Sequence, residues 1–187
     1  MTEAEIQALT SDGGPPLPEL FRLYARKGAR YAFALLGNQQ DSEDVVQEAF
    51  CRLLGPVRRG EVRAELGGFR ALFFRTLRNL ALDVLRKRKT RRSLYLDDVG
   101  EVAARNVPSD DGDLLETLAA LRCELPSHER EALDLRVSGG LGYDEIASVL
   151  GCTRSQVRTW IYRARRRLEE ELRRRRLLPC EVNHDGM

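Results

Sequence analysis

Residues 143–168, "YDEIASVLGCTRSQVRTWIYRARRRL", constrain the fold of this chain more than any other stretch. Ile146, Ala147 and Leu150 recur at helical spacing, Gly151 stops the run, and a second helical pattern resumes with Val157, Ile161, Ala164 and Leu168. A short amphipathic helix, a tight turn containing glycine and a second amphipathic helix form a helix-turn-helix, because that spacing lets both helices bury their apolar sides in one small core. The arrangement leaves Arg154, Ser155, Arg158, Thr159, Tyr162, Arg163 and Arg166 on the outer side of the second helix. Arginine pairs bidentately with guanine, threonine and tyrosine add hydroxyls and apolar contact, and surplus arginine holds phosphate. A basic helix by itself is more often a solvated face. The helix and turn ahead of it, at the right offset, favour DNA reading. Trp160 flanks the buried stripe and reads as a core-edge side chain packed on the helix of residues 126–137. The alternative is a ring set against sugar-phosphate or a thymine methyl.

The rest of the chain is helical in its periodicity too, with no strand alternation and no repeat. A mobile N-terminus (1–16) ends in "GGPP". A helix is predicted from about Pro18 to Leu36, broken by "GNQQD"; Asp41 is the expected N-cap of a second helix running to Leu54. A glycine-flanked loop (55–68) precedes a long helix from about Phe69 to Arg92. Residues 93–112 lose periodicity and carry Pro108 and Gly112, as a linker would. Helical pattern returns at Asp113, and a further helix starts near Pro126 or Ser127 and stops at "SGG". The expected architecture is all-α: two small helical domains, 17–92 and 113–172, joined by a flexible acidic linker, with a tail at 173–187.

The net charge is only +2, but charge is strongly partitioned. Residues 70–92 hold nine Lys/Arg and one acid, residues 93–117 seven acids and one arginine, and residues 154–176 ten arginines and three glutamates. Two basic blocks separated by an acidic stretch suggest two polyanion-binding modules. No apolar run approaches the roughly 18 residues of a membrane span, and the polar, acidic first residues are no signal peptide. Four cysteines without a CxxC pair and two histidines make a metal site unexpected; reduced thiols in a cytoplasmic protein fit better. Cys180 and His184 in the tail are two ligands, too few for a site. No cofactor is expected. A glycine-rich phosphate loop, a histidine-bearing metal pattern and a nucleophile elbow are all missing from the sequence, which argues against an enzyme.

On the second helix Val46, Ala49, Phe50 and Leu53 form the apolar stripe, and Asp44, Gln47, Glu48 and Cys51 form a second, mostly polar one. The chemistry alone fits a solvent face as well as a docking face for a basic partner. In the long helix, Phe69, Phe73, Leu77, Leu80 and Val84 bury one side, Asn79 and Asp83 stand four apart as a possible hydrogen-bonding pair, and a basic end follows.

"DSEDVVQEAFCRLL", "FRALFFRTLRNLALDVLRKRK" and "LPSHEREALDLRVSGGLGYDEIASVLGCTRSQVRTWIYRARRRL" stand in this order at these separations. Together they resemble a bacterial RNA polymerase sigma factor of the extracytoplasmic-function (ECF) type, over about residues 17–172. The resemblance implies that the helix of Asp41 to Leu54 docks on the clamp helices of the polymerase largest subunit, through Asp44, Gln47 and Glu48, with Val45 and Cys51 as additions. It implies that loop 55–68 and the following helix recognise and open the "−10" promoter element, with Asn79 near the displaced strand and Arg75, Arg78, Arg86, Lys87 and Arg88 on its backbone. It gives Asp83 a structural role. It implies that the C-terminal module reads the "−35" element through Arg158, Thr159, Tyr162 and Arg163, with Arg154, Ser155 and Arg166 nearer phosphate. Expected partners are core RNA polymerase (the clamp helices and the flap of the second-largest subunit), promoter DNA and, as is common in the family, an anti-sigma factor. The chain departs from the family pattern at Leu72–Phe73, where Trp then Leu is usual, at Thr76, where Ile is usual, and at Trp160, where a small or basic residue is usual. The rival reading is a stand-alone helix-turn-helix regulator whose N-terminal half dimerises or binds a ligand; it requires tight duplex binding without polymerase.

Overall fold

The computed structural model describes residues 17–58, 66–94, 112–175 and 177. They form seven helices and no strand: α1 (Leu17–Leu36), α2 (Gln39–Arg58), α3 (Leu66–Leu94), α4 (Gly112–Glu124), α5 (Ser127–Val137), α6 (Tyr143–Leu150) and α7 (Arg154–Arg174). The expected mobile N-terminus, most of the acidic linker and most of the tail lie outside the described residues.

Helices α1, α2 and α3 wrap an aromatic core. Tyr24, Tyr31, Phe69, Phe73 and Phe74 are fully buried. Ring centroids stand 4.7 Å apart for Phe50 and Phe73, 5.7 Å for Tyr24 and Phe69, and 5.2 Å for Phe73 and Phe74. Such ring pairs add about 0.5–1.5 kcal/mol each beyond the area they bury. Phe73 fits because Gly28 faces it: a Cβ there would lie 2.8 Å from the ring.

Helix boundaries differ from expectation in three places. Asn38, not Asp41, caps α2: its side-chain Oδ1 accepts the Asp41 backbone N–H at 2.9 Å, so the helix begins three residues earlier than a cap at Asp41 would start it. Asp41 is left in the first turn, free to pair elsewhere. The expected 55–68 loop is narrowed from both sides, since α2 runs to Arg58 and α3 starts at Leu66. Pro56 lies in the final turn of α2, and Gly67 and Gly68 fall in the first turn of α3, where backbone N–H groups lack helical partners anyway.

The C-terminal half has the expected helix-turn-helix. Gly151 takes a left-handed φ of 69° at the end of α6, and its N–H returns to the Ala147 carbonyl. Thr153 then caps α7 reciprocally with Gln156. Ile146, Val149, Val157 and Ile161 are buried between the two helices and α5.

The two halves do not stand apart. One continuous core runs from Leu20, Tyr31 and Phe74 in the first half to Leu135, Leu141 and Ile146 in the second. Helix α6 lies on α3, and α5 touches α1. At the seam Gly139, in the turn after α5, faces Phe74: an added Cβ would meet its ring at 3.0 Å, and the Leu135 carbonyl oxygen and a Leu141 methyl at 2.7 Å each.

Candidate nucleic-acid interface

Three faces carry the residues singled out from sequence. The first is on α2. Asp44, Gln47, Glu48 and Cys51 are exposed along one side, with Glu48 paired to Arg52 one turn on, at 2.8 Å. Val45 corrects the expectation. It is 5% exposed and belongs to the core with Val46 and Ala49, because the apolar stripe is wider than the i, i+3, i+4 set alone.

The second face is on α7. Val157, Ile161 and Ala164 are buried, and all seven outer residues, Arg154, Ser155, Arg158, Thr159, Tyr162, Arg163 and Arg166, are exposed. Tyr162 is 62% exposed, a large ring turned to solvent. Thr159 donates its hydroxyl to the Ser155 carbonyl at 3.0 Å, and Arg166 pairs with Glu170 at 2.7 Å. Trp160 is half-buried, packs against the main core, and lies 5.0 Å from the His128 ring on α5. It props α7 against α5, as its position beside the buried stripe suggested.

The third face is on α3, where the sequence-derived set divides. Asn79, Arg86 and Lys87 are exposed. Asp83 pairs with Arg86 at 2.8 Å; no bond joins it to Asn79, the expected partner. Arg88 is turned inward: it donates to the Leu36 carbonyl at 2.9 Å and pairs with Asp41, the residue released from capping. It closes the C-terminus of α1, which corrects its expected place among the phosphate contacts.

Arg75 and Arg78 point at the other half of the molecule. Arg75 donates to the Ser148 carbonyl at 2.6 Å and to its hydroxyl at 2.7 Å. Arg78 forks onto Glu131 at 2.6 and 3.1 Å, and Tyr31 donates its hydroxyl to the same carboxylate at 3.2 Å. The Glu131 hydrogen bond holds Arg78 above its ordinary pKa, and burial first, then the Glu131 charge, holds the Tyr31 phenol well above its own. Arg70 forks onto Glu145 at 2.6 and 2.5 Å. On the far side Arg122 forks onto Asp134 at 2.5 Å for each arm and donates to the Ala34 carbonyl at 2.7 Å.

Arg70, Tyr31, Glu131, Glu145 and Ser148 were not singled out from sequence. Their partners lie 53 to 100 residues away, and no local pattern joins them. Among the described residues, no group of three His, Cys, Asp or Glu side chains lies close enough to hold a metal ion, and no helix is long and apolar enough to cross a membrane.

Comparison with known proteins accounts for this layout. Residues 20–91 match Sigma-70 region 2 and residues 115–168 match Sigma-70 region 4. The chain is 34% identical to the ECF RNA polymerase sigma factor SigE of Mycolicibacterium smegmatis over 163 residues, which is 84% of this chain and 62% of that relative. It is 32% identical to RNA polymerase sigma factor SigV of Bacillus subtilis, covering 72% of this chain and 78% of that one. Among solved structures it resembles the sigma factor RpoE of Bartonella quintana in complex with the anti-sigma factor NepR (TM-score 0.68, 25% identity, 83% of this chain and 96% of that one). It also resembles CnrH in complex with the cytosolic domain of CnrY (TM-score 0.60, 25% identity, 83% and 86%). With both regions in order on one chain, and relatives of this kind on either side, the protein belongs to the ECF RNA polymerase sigma factors of the sigma-70 family.

Proposed function

We infer that the protein is a promoter-specificity subunit of RNA polymerase, acting by binding and not by catalysis. The observation that carries this reading is α7: Val157, Ile161 and Ala164 are buried in the core while seven polar and basic side chains remain outward. A helix anchored so firmly on one side can enter a major groove on the other without unfolding its own support. In this reading Arg158, Thr159, Tyr162 and Arg163 read "−35" base edges, and Arg154, Ser155 and Arg166 hold phosphate. Helix α3 carries the "−10" function through Arg75, Arg78, Asn79, Arg86 and Lys87, and Arg70 joins them. Asp44, Gln47, Glu48 and Cys51 on α2 dock on the clamp helices of the largest polymerase subunit. An apolar groove lined by Leu118, Leu133, Val137, Leu168 and Leu172 suits the flap of the second-largest subunit. The RpoE and CnrH structures were solved with regulators bound, which supports an anti-sigma partner here. A place in the cytoplasm follows from these partners. No feature of α1–α3 favours the rival reading of a dimerising regulator.

The test is reconstitution. The pure chain is mixed with core RNA polymerase and a panel of promoters, and specific initiation is scored. Initiation from a subset of promoters is expected, and the pair Asp44→Ala, Gln47→Ala is expected to reduce retention on core. Failure of the wild-type chain to co-elute with core would remove this reading.

A further inference from the structure

Of the three faces, two are open and the third is covered over part of its length. The docking side of α2 and the reading side of α7 are solvent-exposed. On α3, Arg70, Arg75 and Arg78 each meet an acceptor from α5 or α6. Arg70 and Arg78 form two-pronged bonds to carboxylates with side chains only 14–25% exposed. A guanidinium fork accepts a carboxylate and a phosphate with the same planar, two-bond geometry. We propose that Glu131 and Glu145 act as built-in mimics of DNA phosphate, so that the C-terminal half of the free chain competes with nucleic acid for the arginines of α3. The proposal rests on α3 being the DNA face inferred above, and it adds a regulator carried within the chain itself.

The placement argues for competition over plain adhesion. The three arginines recur at positions 70, 75 and 78 along one side of α3, beside exposed Asn79. The carboxylates on Arg70 and Arg78 and the Ser148 oxygens on Arg75 all come from the other half. Phosphates cannot take the two-pronged positions on Arg70 and Arg78 while the carboxylates are there. Opening exchanges two carboxylate pairs for phosphate pairs, a nearly even trade at low salt, whereas the apolar strip at Phe74, Gly139 and Leu141 favours the closed form. The free chain is therefore closed to nucleic acid at Arg70 and Arg78, and its α2 face needs no opening to meet a basic surface.

The test uses the full chain with Glu131→Gln and Glu145→Gln together. The probe is a fluorescein-labelled single-stranded DNA of mixed sequence, titrated by anisotropy at several salt concentrations, with small-angle scattering on the same samples. Neutral glutamines keep the shape and remove the mimicry. Binding about tenfold tighter at low salt is expected, with a steeper salt slope, because about two to three more phosphates are held. A larger radius of gyration is expected as well. An expanded chain with wild-type DNA affinity would overturn the proposal, since the carboxylates would then serve only cohesion. An unexpanded chain with wild-type affinity would overturn it too. If the double variant does not fold, Ser148→Glu supplies the opposite test. It adds a carboxylate facing Arg75 at an exposed position, and DNA binding about threefold weaker is expected; unchanged binding would overturn the proposal. Holoenzyme carrying Arg70→Ala and Arg78→Ala separates the two claims. Loss of promoter opening there, with wild-type DNA affinity for the glutamine variant, sinks the competition and keeps α3 as the DNA face. Normal promoter opening would remove α3 from that role.

Discussion

Glu145 grips Arg70 with both carboxylate oxygens, at 2.6 and 2.5 Å, across the seam between the two halves. One of those oxygens also accepts the Gly142 backbone N–H at 2.7 Å, closing the first turn of α6. A single side chain thus starts the helix-turn-helix and fastens it to the first half.

Glu145→Ala is accordingly expected to remove a helix cap and take the carboxylate fork from a largely buried guanidinium. The loss should be about 2–3 kcal/mol, more than either role alone would give. Urea unfolding followed by circular dichroism measures it. Arg70→Ala, which spares the cap, should lose less, and equal losses would contradict the double role.

Tyr31 sets the alkaline limit. Its phenol is buried against Glu131, so its folded-state pKa lies well above its unfolded value. As pH rises past about 10 the unfolded chain loses a proton that the folded chain keeps, and stability falls. The sequence has five tyrosines. Absorbance at 295 nm should therefore show fewer than five ionising before the helical signal collapses, with Tyr31 among the late group. Tyr31→Phe should reduce the alkaline loss. Full ionisation of all five in the folded chain would contradict the buried placement.

Arg88 and Lys87 are neighbours with opposite expected phenotypes. Arg88→Ala uncaps the Leu36 carbonyl and strands Asp41. As that pair is more than a third exposed, the expected loss is modest, about 1 kcal/mol. Lys87→Ala should leave stability within about 0.5 kcal/mol and act on DNA affinity instead. Thermal melts beside promoter binding by the holoenzyme distinguish the two.

On α7, Arg158→Ala and Arg163→Ala are each expected to weaken "−35" recognition by about 1–3 kcal/mol while leaving retention on core polymerase intact. Arg166→Ala, at a phosphate-type position, should weaken all promoters alike. Competition binding with holoenzyme against promoter variants measures both. Loss of core retention in the first two variants would contradict the division of faces.

The helices were legible because each buries one stripe at a 3.6-residue period, and that signal is local. The helix-turn-helix read well for the same reason, down to Gly151 and its left-handed φ. What misled was also local. Asp41 is as good a cap residue as Asn38, and only the tertiary pairing with Arg88 shows which one is free to serve. Val45 sits beside polar neighbours, and its burial depends on how wide a face α1 and α3 cover. The seam was invisible: Arg78 and Glu131, or Arg75 and Ser148, are ordinary surface types with nothing nearby in sequence to join them. Two modules tied by a flexible linker were the natural expectation for that pattern. Partners brought together from distant helices set the arrangement observed, and a charge count cannot reveal them.

Gly139 carries one more consequence. One point on the seam is held by a position with no side chain, where a Cβ would meet the Phe74 ring, a Leu141 methyl and the Leu135 carbonyl. A hydrogen atom is thus the spacer of the closed molecule. The smallest enlargement a single codon change can make there, one added carbon, is already a wedge.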